Sequence, residues 1–283
     1  TDTQNISITL KNLNDTTPLI TNIDTNKTVE ENQLNAIKLT ANDEDNKIAV
    51  LNPLEYSIKS GADKDAFDVN KTTGEVTFKN TKMPDYESKK ILYTFKASIS
   101  DGVNSSTKDI TINIKNLNDN EPSFTSKDAK TIDENTTDAI TLTAFDADGG
   151  TLTYKIEDDD ASEFTLDSAT GEVKFNTISD YEGGKTIYKF KATVTDDGGS
   201  QDTQNVTLTL KNINDKTPVF TNTNTKAVDE NQLDAIKLTA NDEDNKVAVL
   251  NPLEFSITGG ADKDKFDINK TTGVVTFKNT EKP

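Results

Sequence analysis

Apolar side chains recur at every second position along this chain. Tyr93, Phe95, Ala97 and Ile99 alternate with polar neighbours, and Tyr188, Phe190, Ala192 and Val194 repeat the series. Ile110, Ile112 and Ile114 form a following run, matched by Val206, Leu208 and Leu210. Shorter runs carry Ile37, Leu39 and Ala41, then Leu54, Tyr56 and Ile58. Side chains leave a strand on alternate faces, so a period of two predicts β-strands with one face buried and the other wet. Gly74, Gly171 and Gly273 close Thr-Thr-Gly or Ala-Thr-Gly steps, which predict hairpin turns with Gly at a positive φ. About seven such strands per hundred residues predict an all-β fold of tandem seven-stranded Greek-key β-sandwiches, immunoglobulin-like, in a linear array.

The array is written in a second, longer period. KNLND at 11–15 returns at 115–119 and, as KNIND, at 211–215, placing Asp15, Asp119 and Asp215 104 and 96 residues apart. Each occurrence ends a strand-like run and precedes a proline, as a joint between repeats would. Residues 1–15 parallel 201–215 and read as the last strand of a preceding repeat. Repeat one then spans 16–119 and repeat two 120–215, while repeat three, 216–283, lacks counterparts of the final two strands. Such a repeat should expose apolar surface and be unstable by itself. Residues 31–81 and 230–280 align without gaps at 43 identities in 51 positions, so the first and third repeats are near copies. Duplication of this kind lengthens an object.

Composition narrows the chemistry. The formal net charge of -18 disfavours nucleic acid and anionic membrane surfaces and favours cations. There is no Cys, so cores or metal must supply what disulfides supply in many secreted proteins, and with no His neither Ser/His nor Cys/His catalysis is available. No apolar run reaches the roughly 18–20 residues that span a bilayer. The chain opens at Thr1 without Met or leader, which reads as an internal piece of a longer protein.

The acidic residues are organised. Glu31, Glu134 and Glu230 open each repeat before an Asn; Asp43 and Asp45, Asp146 and Asp148, and Asp242 and Asp244 form Asp-x-Asp pairs after the second strand. Asp85 and Glu87 frame a Tyr, as Asp180 and Glu182 do; Asp101 and Asp196 end the penultimate strands. On extended chain an Asp-x-Asp pair presents both carboxylates on one side. Oxygen donors without His or Cys suit Ca²⁺, which takes six to eight oxygens, better than Zn²⁺ or Mg²⁺. Two unit charges 4 Å apart repel by about 4 kcal/mol at an effective dielectric of 20, so clustered carboxylates need cations. One acidic pair caps a loop; the whole set returning in each repeat argues for shared ions.

Taken together these residues resemble the cadherin repeat over essentially the whole chain. The likeness includes the opening Glu-Asn, Ala-x-Asp-x-Asp from Ala41, Ala144 and Ala240, the Phe67 and Gly74 segment, Asp-Tyr-Glu, and the linker followed by Pro122-x-Phe124 or Pro218-x-Phe220. The resemblance implies about three Ca²⁺ per complete joint, each with oxygen ligands from both neighbours. At the first joint Glu31, Asp85, Glu87, Asn116, Asn118 and Asp119, with backbone oxygens of Leu117 and Asn120, would meet Asp146, Asp148 and Asp196. At the second the set would be Glu134, Asp180, Glu182, Asn212, Asn214, Asp215, Asp242 and Asp244. Ahead of repeat one stand Asn14, Asp15, Asp43, Asp45 and Asp101, half a site.

The linker departs from the family by opening with Asn12, Asn116 and Asn212 in place of Asp, which should weaken one ion at each joint. Thr16, Asn120 and Lys216 follow the linker Asp, and Lys216 adds a charge of the wrong sign. No Trp is present, so docking by a Trp anchor is not supported. Ile48, Val50 and Leu51 form an apolar loop expected to fold back on its own sandwich.

The resulting expectation is a non-enzymatic, calcium-rigidified extracellular stalk of a membrane-associated or secreted surface adhesin, mediating cell adhesion, homophilic or through a receptor or glycan. Lys-only basic residues and Asn-rich usage suggest a bacterial source. Extracellular calcium modules bind at about 10⁻⁴–10⁻³ M. At ten times Kd one site adds about 1.4 kcal/mol of stability and about three add roughly 4 kcal/mol. A glycan-binding module is the alternative; it needs exposed aromatics. A glycosidase would need one unique acid pair in a cleft rather than a set at every joint.

Overall fold

A computed structural model describes residues 1–22, 24–47, 52–246 and 250–278. The expected apolar loop at Ile48, Val50 and Leu51 lies outside the described residues. The chain divides into two compact units, one formed by Thr1–Asn120 with Ala147–Gly149, the other by Glu121–Asp146 with Gly150–Pro283.

In the first unit the strands are β1 (Leu19–Ile20), β2 (Asn26–Glu30), β3 (Asn35–Lys38), β4 (Ala41–Asn42), β5 (Glu55–Ser60), β6 (Phe67–Val69), β7 (Glu75–Phe78), β8 (Leu92–Ser100) and β9 (Ser105–Lys115). They make a four-stranded sheet β2-β9-β8-β5, a three-stranded sheet β3-β7-β6 and the pair β1-β4. Strand β2 runs parallel to β9, the other pairs antiparallel, which is the sandwich expected from the alternation. Seven strands become nine segments because two are interrupted. The apolar run at 37–41 breaks between β3 and β4, and a register shift between Asn35 and Ile37 buries Ala36.

Strands β8 and β9 supply the centre of the core. Phe95, Ala97, Ile99, Ile110 and Ile112 are almost wholly buried against Leu39, Val76 and Phe78. Phe67 stacks at 4.7 Å from both Phe78 and Phe95, with Tyr93 edge-on to Phe78 at 5.1 Å. Between β6 and β7, Gly74 takes φ 73°, where a Cβ would run into the carbonyl oxygen of Leu39.

The second unit repeats the plan over β10 (Ser123–Phe124), β11 (Ala129–Asp133), β12 (Asp138–Thr141), β13 (Ala144–Phe145), β14 (Thr153–Glu157), β15 (Phe164–Leu166), β16 (Glu172–Phe175), β17 (Ile187–Thr195) and β18 (Gln201–Lys211). Its later part holds β19 (Val219–Phe220), β20 (Asp234–Lys237), β21 (Ala240–Asn241), β22 (Phe266–Ile268) and β23 (Val274–Phe277). Among the described residues there, the β20-β23-β22 sheet and the β19-β21 pair form.

Residues 1–11 carry no strand although their sequence parallels β18; Ile6, Ile8 and Leu10 are exposed. A strand is held by a partner's backbone groups and by burial of one face, and among the described residues none pairs with 1–11.

Candidate cation site

The site is assembled from a linker and the Asp-x-Asp turn. Asp15 and Thr16 donate their amides to Asp45 Oδ2 at 3.0 and 2.8 Å. Asp119 and Asn120 do the same to Asp148 Oδ2 at 2.8 and 2.6 Å, and Lys216 donates its amide to Asp244 Oδ2 at 2.8 Å. The first Asp of the pair serves the turn: Asp43 Oδ1 accepts the Asp45 amide at 3.0 Å and Asp242 Oδ1 the Asp244 amide at 3.1 Å. This corrects the expectation of an extended chain presenting two carboxylates side by side. Asp242 is extended, but a 3-10 turn follows at Glu243–Asn245, as at Asp45–Lys47, and swings the second carboxylate onto the linker.

The Asn that opens each linker has a role the sequence reading missed. Asn12, Asn116 and Asn212 donate Nδ2 to the backbone oxygens of Asp45, Asp148 and Asp244 at 2.8, 2.8 and 2.7 Å. A carboxylate has no hydrogen to make that bond. The amide therefore fastens the turn while its oxygen stays available.

The Glu-Asn step holds the other side. Glu31 Oε1 accepts the Leu117 amide at 2.8 Å and Oε2 the Tyr86 amide at 2.6 Å; Glu134 does the same with Ile213 at 2.8 Å and Tyr181 at 2.7 Å. Asn32 and Asn135 sit in the left-handed region at φ 58° and 63°, which Asn tolerates. Asn32 hydrogen-bonds Asp119 Oδ2, and Asn135 Nδ2 reaches Asp215 Oδ2 at 2.5 Å. The recurring Asn after the Glu was the available signal for these two residues.

Among the described residues three acidic groups result. Oxygens of Glu31, Glu87 and Asp119 lie within 4.8 Å of one another, as do those of Glu134, Asp180 and Glu182, and of Glu182, Asp215 and Asp244. Burial, then the charges of Glu31 and Asp148, push Glu87 up to about 7, against the offsetting pull of its own backbone hydrogen bond. Burial, with Glu31 and Asp148, also raises Asp119. Asp148 goes the other way: burial would raise it, but the Asn120 and Asp119 hydrogen bonds hold it low. Burial and Glu134 raise Glu182.

Asp85 is not gathered in; it is exposed and caps its own turn, accepting the amides of Glu87 at 3.1 Å and Ser88 at 3.3 Å. Asn118 and Asn214 are exposed, and Leu117 enters through its amide. Asn14 Nδ2 reaches the Asp101 carbonyl at 3.5 Å. Burial acts to raise Asp101, but the Asn104 and Val103 amides on Oδ1 hold it below the ordinary range. Asp196 Oδ1 accepts the Ser200 amide at 2.7 Å; Asp196 and Asp146 are both buried in the second unit.

A metal can be tested against the oxygens left over. Buried and without a hydrogen-bond partner are Asp43 Oδ2, Asp101 Oδ2, Glu87 Oε1, Asn116 Oδ1, both oxygens of Glu182, Asp196 Oδ2, Asn212 Oδ1 and Asp244 Oδ1. Buried acceptors normally have partners. These recur at matching positions, Glu87 with Glu182, Asn116 with Asn212 and Asp101 with Asp196, and all are oxygen. That donor set fits a hard cation such as Ca²⁺.

Comparisons with known proteins bear on the repeat itself. A family described as a bacterial Ig domain matches residues 118–209. Rat Protocadherin Fat 2 is 29% identical over 239 residues, covering 80% of this chain and 5% of that protein. The Drosophila melanogaster Fat-like cadherin-related tumor suppressor homolog is 30% identical over 260 residues, with the same coverage. The chain thus spans about 5% of the length of these relatives. The crystal structure of human CDH23 EC21-23 is similar at 27% identity and TM-score 0.66, covering 92% of this chain and 89% of that one. Protocadherin gammaB7 EC3-6, at 18% identity and TM-score 0.69, covers 93% and 69% and shares the fold. The cadherin resemblance read from the sequence holds in these relatives. The bacterial source is not supported by them: these relatives are animal proteins.

Proposed function

We propose that this chain, built of cadherin-like repeats, is a calcium-binding segment of an extracellular adhesion protein, stiffened at its joints by Ca²⁺. The repeats 16–119, 120–215 and 216 onward are taken as the mechanical units. The observation that carries the reading is the set of buried oxygens without hydrogen-bond partners, recurring at matched positions.

Each residue group has its task. Glu31 and Glu134 tie the linker to the Asp-Tyr-Glu loop through two amides each. Asn116 and Asn212 lock the Asp-x-Asp turn and offer Oδ1. Glu87 and Asp119 with Asp148, and Asp180, Glu182 and Asp215 with Asp244, would hold the ions at the two joints. Asp146, Asp196 and Asp242 join them on the sequence pattern, as do the backbone oxygens of Leu117 and Asn120. Ahead of repeat one, Asp43, Asp45 and Asp101 with the linker make a half-site. Bound Ca²⁺ would offset the repulsion among these carboxylates and cross-brace the segments that carry them. Burial first, and then neighbouring carboxylates, raise Glu87 and Glu182, so both are costly to ionise without a cation beside them.

Adhesion through like repeats on another chain, at a cell surface, follows from the cadherin relatives and is part of the proposal. The glycan-binding alternative is not favoured, since Tyr56, Tyr86, Tyr93, Tyr154, Tyr181 and Tyr188 all pack on the cores. Small-angle scattering with and without millimolar Ca²⁺ should show a longer maximum dimension with the ion. Calorimetry should show uptake that Asp119→Ala reduces. An unchanged profile together with no uptake overturns the reading.

A further inference from the structure

The residue after the linker Asp differs in chemistry among the three joints. Thr16, Asn120 and Lys216 all give their amides to the second Asp of the turn. Their side chains part company. Thr16 Oγ1 turns to Asp45 Oδ1 at 3.3 Å, and Asn120 Nδ2 to Asp148 Oδ1 and Asp119 Oδ1, both at 2.9 Å. Lys216 turns away from Asp244, whose Oδ1 is left buried without a partner. Its Nζ lies 3.1 Å from Asp215, 3.4 Å from Glu182 and 3.7 Å from Asp180.

Those three carboxylates belong to the two acidic groups of this joint. The Glu182 side chain is only 5% exposed, and neither of its oxygens has an aligned hydrogen-bond donor. Lys216 therefore brings one positive charge to a place built for cations, on a four-carbon tether that can swing out, since its side chain is one-third exposed. The ammonium is a compact point charge with three donors, able to face three carboxylates at once.

We propose that Lys216 is a tethered cation that partly closes the second joint in the absence of calcium and competes for one ion position there. The second joint is then less calcium-dependent than the first, where Asn120 brings no charge. This rests on the calcium reading of the joints, and its test separates the two.

The test uses the whole chain, Lys216→Asn and the reciprocal Asn120→Lys. Hydrogen exchange in chelator reads the amides of 212–216 and 116–120, and calorimetry with CaCl₂ reads the ions. Because each ion pair at a partly exposed site is worth up to about 1 kcal/mol, Lys216→Asn should speed exchange at 212–216 by roughly threefold to tenfold in chelator. Asn120→Lys should slow exchange at 116–120 comparably. In CaCl₂, Lys216→Asn should tighten one site by about tenfold or add one. Unchanged exchange at 212–216 in Lys216→Asn overturns the proposal, even with calcium uptake intact at both joints. Calcium uptake that is equal in the parent chain and Lys216→Asn overturns the competition. Absence of uptake in all three chains sinks the calcium reading instead, while the exchange in chelator still decides whether Lys216 closes the joint.

Discussion

Repeats one and three carry nearly the same residues and do not reach the same state. Over 31–81 and 230–280 they share 43 of 51 positions. Their hairpin sheets agree strand for strand: β3-β7-β6 has the same order and register shift as β20-β23-β22. The opposite sheets do not. Residues 225–229 and 254–259 match β2 and β5 in sequence yet form no strand, and among the described residues none pairs with them as β9 and β8 pair with β2 and β5. Burial follows the sheet. Ile20 is 9% exposed and its counterpart Phe220 60%; Val29 is 8% and Val228 36%; Glu31 is buried and Glu230 exposed. Phe67 and Phe78 are buried, whereas Phe266 and Phe277 keep their 4.9 Å contact but are only half-buried. The hairpin sheet thus forms alike in both copies, while deep burial accompanies the β2-β9-β8-β5 sheet.

The sharpest way to break this comparison is to cut the same ring from both copies. Phe78→Ala should cost about 3–5 kcal/mol, the usual loss for a fully buried Phe, and Phe277→Ala well under half of that. Exchange protection of the 67–78 and 266–277 hairpins, read in one sample, checks both; equal losses would mean that burial does not separate the copies. Next in size, Glu31→Ala leaves the amides of Leu117 and Tyr86 without their acceptor and should cost about 2 kcal/mol, with Glu230→Ala within about 0.5 kcal/mol of zero. Denaturant midpoints of the variants decide it. A third pair should show no contrast at all. Gly74→Ala and Gly273→Ala both force a side chain to φ near 70° and into a Leu carbonyl, for a like cost of about 1–2 kcal/mol or more in each hairpin. A difference between them would show that the turn is not local.

The smallest effect is the one with pH. Glu87 has an ordinary value of 4.5 and is raised to about 7 by burial and by Glu31 and Asp148. A carboxyl raised on folding binds its proton more tightly when folded. Its contribution is therefore present below about 4.5 and is lost as pH rises through about 7. In chelator, melting of the first unit should shift upward between pH 7 and pH 5, and Glu87→Gln should flatten that slope. On the proposed calcium reading the sign should reverse with the ion present, because protons and the ion would compete for the same carboxylates.

Much of this was legible in the chain. The alternation at 93–99 and 110–114 marked the two strands that turned out to be the core, and the Gly74 and Gly273 turns were readable from Thr-Thr-Gly. The acidic inventory was legible as well, down to Glu31, Glu87 and Asp119. What escaped was orientation. Two carboxylates at i and i+2 looked like a pair on extended chain, but a 3-10 turn gave the first to its own backbone and the second to the linker. Asn116 and Asn212 looked like weakened ligands and proved to fasten that turn. Asp85, a ligand by its motif, was not readable as a loop cap, yet its Oδ1 accepts the amides of Glu87 and Ser88.

By itself, then, the sequence determined the strands, turns and repeat period, since those follow from side-chain alternation and local φ preferences. Tertiary structure alone decided which of those strands exist. Residues 1–11 and β18 are nearly the same stretch, one unpaired with Ile6, Ile8 and Leu10 exposed, the other an eleven-residue strand with Val206, Leu208 and Leu210 buried. A strand's hydrogen bonds and its buried face both belong to its neighbours, so identical residues fold differently where the neighbours differ.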